Sequence, residues 1–218
     1  MKIIITGSSG YIGSCLYEVL KKNKKYKILG LDKTSPKLCK QKLFKKVDLN
    51  NYKLTNKIFK DFKPDAIIHL AAQSTIDFIK NKNLYIKNNV GLTKNLIKVI
   101  NEHKSKYLIF SSTAAVYQAQ IGNLNEKKKL KSNNIYGKTK LDCEKLIKND
   151  LNKNSKFIIF RFFNVCSALI ENKIGEFHNP ETHYVPIVVQ KMIDKKNILI
   201  YGKNFKTRDG FAIRDYIH

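Results

Sequence analysis

Tyr136 and Lys140 stand four residues apart in Tyr136-Gly137-Lys138-Thr139-Lys140. On a helix that spacing sets a phenol and an ammonium side by side on one face. A phenol near its free pKa of about 10 is a poor base at neutral pH. A neighbouring cation favours the phenolate, so Lys140 is expected to tune Tyr136 toward general-base work. The spacing alone also describes many surface helix pairs. Its weight comes from Ser111-Ser112-Thr113 at the end of an apolar run. A hydroxyl there can share a proton in transit with the phenol, and of the three Thr113 is favoured as the catalytic partner.

A second constellation opens the chain. Thr6-Gly7-Ser8-Ser9-Gly10-Tyr11-Ile12-Gly13 lies between a strand-like and a helix-like run. Gly7 permits a tight turn, Gly10 lets the backbone approach a pyrophosphate, and Gly13 lets the helix pack close to the sheet. The free N–H groups and dipole of a helix start favour the pyrophosphate's charge. Asp32 follows at about the 20-residue interval typical of the ribose-binding acid. Its carboxylate accepts from ribose hydroxyls and repels a 2′-phosphate, which favours NAD over NADP; Lys33 weakens that discrimination slightly. Asp48 could meet the adenine or be an exposed turn acid. A positive nicotinamide near Tyr136 would add to the effect of Lys140.

These groups need a scaffold, and the apolar rhythm supplies one. Strands are expected at 2–6, 26–31, 43–47, 66–70, 107–111 and 157–162, with helices at 11–22, 51–61, 84–103 and 136–150. Repeated strand–helix units of this size imply an α/β fold, a doubly wound parallel sheet covered on both faces. In such sheets ligands bind at the carboxyl ends of the strands, where both constellations fall. The polar stretch 118–133 reads as a loop. After Asn164 the rhythm changes, with a helix expected at 185–194 and a strand at 198–201. The division expected is a dinucleotide-binding domain at 1–165 and an incomplete second lobe at 166–218.

Composition sets bounds. The 218 residues include 42 Lys and Arg against 17 Asp and Glu, a net charge of +25. Such a charge can mark a nucleic-acid binder. Here Lys is scattered beside abundant Asn and Ile, a codon-bias pattern, and Arg, the usual reader of base edges, is scarce. No specific nucleic-acid partner is therefore expected. Cys15, Cys39, Cys143 and Cys166 form no C-x-x-C pair and have no His at ligand spacing, so no metal is expected. No apolar run approaches the roughly 20 residues of a membrane span. A cytoplasmic, membrane-free chain is the expectation.

The motifs together resemble the extended short-chain dehydrogenase/reductase family. They are TGSSGYIG, Asp32, Asp48-Leu49, HLAAQS at 69–74, NNV at 88–90, SST at 111–113 and YGKTK at 136–140. RFFN at 161–164, HNPETHYVP at 178–186 and TRDGFAIRDYIH at 207–218 are similar to the UDP-glucose 4-epimerases within it. The resemblance implies NAD, bound by Gly7, Gly10, Tyr11, Ile12, Gly13, Asp32, Lys33, Asp48, Leu49, Ala71, Ala72, Asn88, Ser111, Tyr136 and Lys140. It implies a UDP-sugar held by Ser112, Thr113, Tyr136, Asn164, His183, Leu199, Tyr201 and Arg214. In the implied reaction Tyr136 removes the proton of the sugar 4-hydroxyl as a hydride passes to NAD⁺; the 4-keto sugar turns and is reduced on its other face. Related dehydratases carry an Asp-Glu pair after the Thr, and Ala114-Ala115 stand there instead. Epimerases of other nucleotide sugars and a plain oxidoreductase stay open. Gln118, Gln73, Phe162 and Arg208 depart from the family wording. Family chains continue past RDYIH, so a truncated, catalytically incomplete NAD-binding fragment is the competing expectation. The family's helix-mediated dimer leaves a homodimer through the helices at 84–103 and 136–150 open.

Overall fold

The computed structural model describes residues 1–73, 82–120, 122–176, 178, 181–200 and 202–218. Ser74 of the HLAAQS motif, Asn179 and Pro180 of HNPETHYVP, and Tyr201 lie outside them. The described chain divides into two compact units, residues 1–162 and 163–218.

The first unit is a doubly wound sheet. Strands β1 (Lys2–Thr6), β2 (Lys27–Asp32), β3 (Phe44–Lys46), β4 (Ala66–His69), β5 (Tyr107–Thr113) and β6 (Lys156–Phe162) pair in parallel. Their order is β3-β2-β1-β4-β5-β6. Parallel strands need covered crossovers, which explains their near-continuous apolar runs. On β1 the side chains alternate between two cores. Ile3 and Ile5 join Tyr17 of α1 (Tyr11–Lys21) and Ile28. Ile4 joins Phe59 of α2 (Tyr52–Phe62), Leu96 and Ile100 of α4 (Leu92–His103), and Ile147 of α5 (Ile135–Asp150).

The helix expected at 84–103 is observed as α3 (Lys82–Tyr85), a wide turn at Ile86–Gly91, and α4. The wide turn has i→i+5 geometry, a form that concentrates at functional sites. It buries Asn89 while leaving Asn88 half-buried. The segment 118–133 forms no regular helix or strand among its described residues; a Tyr117–Leu130 bridge ties its ends.

The second unit is smaller and loosely built. It pairs β7 (Asn164–Val165) with β10 (Tyr216–Ile217) in parallel, and β8 (Ala168–Leu169) with β9 (Ile174–Gly175) in antiparallel fashion. Its described residues also form α6 (Tyr184–Ile193) and a short 3₁₀ turn at Ile170–Asn172. Among its described residues Ile174 alone is a buried apolar side chain. The strand expected at 198–201 does not form at 198–200. A strand is stable only when a neighbour completes its ladder, and among the described residues none pairs with this run, leaving Leu199 72% exposed.

No helix among the described residues is long and apolar enough to cross a membrane. The four cysteines are free thiols.

Candidate functional site

β1 and β4 are neighbours whose crossovers run in opposite directions, which opens a crevice at their carboxyl ends. The Gly turn sits there. Gly7 has φ +71°, and a Cβ on it would lie 2.7 Å from the Ala71 nitrogen. The chain leaving β4 thus passes too close for any side chain at Gly7. Gly10 is the N-cap of α1 and offers no side-chain cap. A Cβ there would meet only the Gly7 oxygen, at 3.5 Å. An uncapped helix start facing open space suits a pyrophosphate. Asp32 braces the turn. Its Oδ2 accepts from the Ser9 N–H at 3.1 Å, and its Oδ1 accepts from the Thr34 N–H and hydroxyl at 3.0 and 3.1 Å. A carboxylate has about four acceptor sites, so capacity for a ribose remains.

Further along the sheet, Asp48 is exposed and accepts from the Asn50 N–H and side-chain amide. Leu49 packs its side chain into the core. Ala71 and Ala72 lie half-buried beyond β4. Asn89, next to the expected Asn88, does the visible work: its Oδ1 accepts from the Gln73 N–H at 2.7 Å and its Nδ2 donates to Thr139 Oγ1 at 2.9 Å. It ties the segment after β4 to α5. Beneath the turn, fully buried His69 spans Thr6 and Thr93 at 2.7 and 3.1 Å, and burial drives its pKa down to about 3.

The catalytic candidates converge at the end of β5. Asn134 caps α5 by accepting from the Gly137 N–H at 2.7 Å. A Cβ on Gly137 would lie 2.4 Å from the Ala115 oxygen, so this glycine lets the helix start press against the turn after Thr113. The result brings the Tyr136 phenol under the influence of the Thr113 hydroxyl, which favours its ionised form. Lys140, one turn on, is buried; its ammonium donates to the Ser111 carbonyl at 2.6 Å and sits 4.7 Å from the Phe110 ring centroid.

The electrostatics differ from the expectation at one point. Burial pushes the Tyr136 phenol up to about 12, opposed only in part by the Thr113 hydroxyl. The Lys140 ammonium is aimed at the Ser111 carbonyl, 6.0 Å from the Tyr136 ring centroid. Burial also lowers Lys140 to about 8. Desolvation therefore outweighs the lysine's pull on the phenol.

Ser112 points the other way, as strand alternation requires. Its hydroxyl donates to Glu144 Oε1 at 2.6 Å, deep under α5. Glu144 also takes a two-pronged bond from Arg161 on β6, at 3.0 and 2.8 Å. Arg161 reaches Tyr117 Oη at 3.0 Å as well, and its charge is held well above the ordinary arginine range by Glu144. Neither residue stood out in the sequence reading. The available signals were the Tyr136–Lys140–Glu144 spacing along one helix face and an Arg in a strand of a chain with three arginines.

In the second unit Asn164 donates from Nδ2 to the Asp215 carbonyl at 2.9 Å, so β7 stands beside the segment that leads from Arg214 into β10. Arg214 is exposed and donates to the carbonyl of its neighbour Ile213 at 2.9 Å. His183, the N-cap of α6, lies with Glu176, His178 and Glu181.

Residues 3–218 match the NAD dependent epimerase/dehydratase family. The chain belongs to this family. Within it, the chain is 34% identical over 224 residues to a UDP-glucose 4-epimerase of Halalkalibacterium halodurans, covering 100% of this chain and 67% of that one. A UDP-glucose 4-epimerase crystal structure superposes with a TM-score of 0.89 at 34% identity, over 100% of this chain and 68% of that one. The enzyme from Bifidobacterium longum, solved in complex with NAD⁺ and UDP, gives a TM-score of 0.89 at 26% identity, covering 70% of that chain. The chain thus spans about two thirds of the length of these family members.

Proposed function

We propose that this chain interconverts UDP-glucose and UDP-galactose by NAD-dependent 4-epimerisation. The observation that carries the reading is the Tyr136 phenol, with the Thr113 hydroxyl acting on it and buried Lys140 one helical turn away, at the carboxyl end of β5. Tyr136 takes the proton of the sugar 4-hydroxyl and returns it after the 4-keto sugar has turned. The Thr113 hydroxyl, which favours the ionised phenol, shares that proton in transit. Lys140, fixed by the Ser111 carbonyl, supplies the positive field that steadies a phenolate once a second cation joins it. NAD, when bound, supplies oxidation and re-reduction at the sugar's 4-carbon. The residues fit it: an uncapped α1 start, space above Gly10, and Asp32 to accept from the ribose and repel a 2′-phosphate. Ala114 and Ala115 offer no acid to eliminate water.

The remaining assignments rest on the resemblance and on relatives named for UDP-glucose. Asn164, His183, Leu199, Tyr201 and Arg214 are assigned to the uridine diphosphate; the Arg214 guanidinium suits phosphate geometry. A homodimer is expected on the same ground, and light scattering reads it directly.

The test is incubation of the 218-residue chain with UDP-galactose, with and without added NAD⁺, following UDP-glucose. Tyr136→Phe should lower turnover by roughly 10²–10⁴-fold, the usual worth of a general acid–base group, while NAD stays bound. Unchanged turnover in that variant would refute the assignment.

A further inference from the structure

A buried side chain outside the catalytic set is built into the floor of the Gly turn. Gly30 lies in the interior of β2, paired with Ile5 of β1 and Phe44 of β3. A glycine inside a strand often marks the close approach of another group. Here a Cβ would overlap the Gln41 side-chain oxygen and stand 2.6 Å from Ser8 Oγ. Gln41 comes from the loop between β2 and β3 and is only 9% exposed. Its side chain occupies the place that a residue at 30 would fill. Its Nε2 donates to the Ser8 carbonyl at 2.6 Å and lies 3.8 Å from Cys39 Sγ. Both partners are acceptors, so the amide is set with Oε1 turned toward Gly30.

Burial alone does not account for this arrangement. The Ser8 carbonyl already accepts from the Ser14 hydroxyl at 3.2 Å, so it is not orphaned without Gln41. Gln41 leaves its own Oε1 buried, as Ser8 leaves its Oγ, with no hydrogen-bond partner among the described residues. An apolar side chain at 41 would remove the unpaired Oε1. A buried unpaired oxygen is costly, and one kept in a folded protein needs a reason beyond packing. That reason is the next peptide bond. In a trans peptide the carbonyl and the following N–H point in opposite directions. Gln41 and Ser14 draw the Ser8 carbonyl one way, which turns the Ser9 N–H the other way, where it donates to Asp32 Oδ2 at 3.1 Å. The Ser8–Ser9 peptide is thus gripped at both ends. The residue that follows it, Gly10, is the uncapped start of α1.

We infer that Gln41 is a positioning residue for dinucleotide binding. It acts through the Ser8–Ser9 peptide, fixing the turn that faces the pyrophosphate and, through the Ser9 N–H, the Asp32 carboxylate that receives the ribose. Binding geometry held by packed supporting bonds is tighter than geometry left to the loop itself. The inference rests on the Gly turn as the NAD site and does not depend on epimerisation.

The test is calorimetric titration of nucleotide-stripped chain with NAD⁺, beside amide hydrogen exchange of the same chain read by NMR without nucleotide. Gln41→Met keeps the length and removes the donor. It should weaken NAD⁺ binding roughly tenfold, the worth of about one hydrogen bond, while the nucleotide-free chain unfolds close to the parent's temperature. Exchange at the Ser9 N–H should quicken at least roughly fivefold. Gln41→Glu has the same shape and, ionised, no donor. It should weaken binding likewise at about pH 7.5 and regain most of the loss, relative to the parent at the same pH, at about pH 5, where a buried carboxyl again carries an O–H to donate. A packing role would not follow that proton. Undiminished affinity in folded Gln41→Met chain, unchanged Ser9 exchange, or a Gln41→Glu deficit that is the same at both pH values overturns the inference. A parent chain that takes up no NAD⁺ overturns the cofactor reading instead, and the exchange measurement then decides by itself whether Gln41 fixes the turn.

Discussion

The Glu144–Arg161 pair makes a sharp demand on stability. Glu144 is 1% exposed and Arg161 13%, with their charges joined by two bonds at 2.8 and 3.0 Å. Glu144→Gln keeps the shape and removes the charge. Arg161 then faces a neutral amide inside the protein, with Tyr117 and the Glu126 carbonyl as its other partners. Breaking a buried pair from one side costs about 3–5 kcal/mol, because the surviving charge stays desolvated and unpaired. For a chain of this size each kcal/mol moves Tm by about 2–4 °C. The expected fall is on the order of 10 °C. The double variant Glu144→Leu with Arg161→Met removes both charges and should recover most of that loss, since an apolar pair of similar volume is often neutral. Scanning calorimetry of the parent, Glu144→Leu, Arg161→Met and the double variant closes the cycle, with Glu144→Gln measured beside them. A fall below about 2 °C in Glu144→Gln, or a double variant as unstable as the sum of the singles, would show that solvent screens the pair and that the reasoning is wrong.

Two further outcomes follow from the same coordinates. Lys140 has its folded pKa lowered from 10.5 to about 8 by burial. Below about 8 both folded and unfolded chains carry that proton and the burial cost is complete; between about 8 and 10.5 the unfolded chain binds more protons, so stability rises with pH. Urea unfolding from pH 7 to 10.5 should therefore show the parent gaining roughly 3 kcal/mol relative to Lys140→Met across that window, at 1.36 kcal/mol per pH unit; parallel curves would contradict a buried ammonium. At the ends of α2 and α4, Lys63 and Lys104 adopt left-handed backbone with φ of 51° and 53°, so Lys63→Gly and Lys104→Gly should each stabilise by up to about 1 kcal/mol, and a loss of stability in both would argue against those caps.

Periodicity in the chain determined the doubly wound sheet, because a strand buried on both faces writes itself as an apolar run and a covering helix as a stripe. The Gly turn was equally legible: a backbone with φ +71° and Ala71 in contact excludes every other residue at Gly7. The Tyr136–Lys140 spacing and Thr113 were readable as local chemistry. Only the tertiary structure decided how that chemistry is set. Whether Lys140 lowers the phenol depends on where its ammonium points, and the Ser111 carbonyl on β5 takes it. Whether Asn88 or Asn89 turns inward depends on one wide helical turn. The Ser112–Glu144–Arg161 network joins β5, α5 and β6 across the 48 residues of chain between Ser112 and Arg161. Local propensity is written in neighbouring residues; the partners of a buried charge are chosen by packing, so they become visible only once the chain has folded.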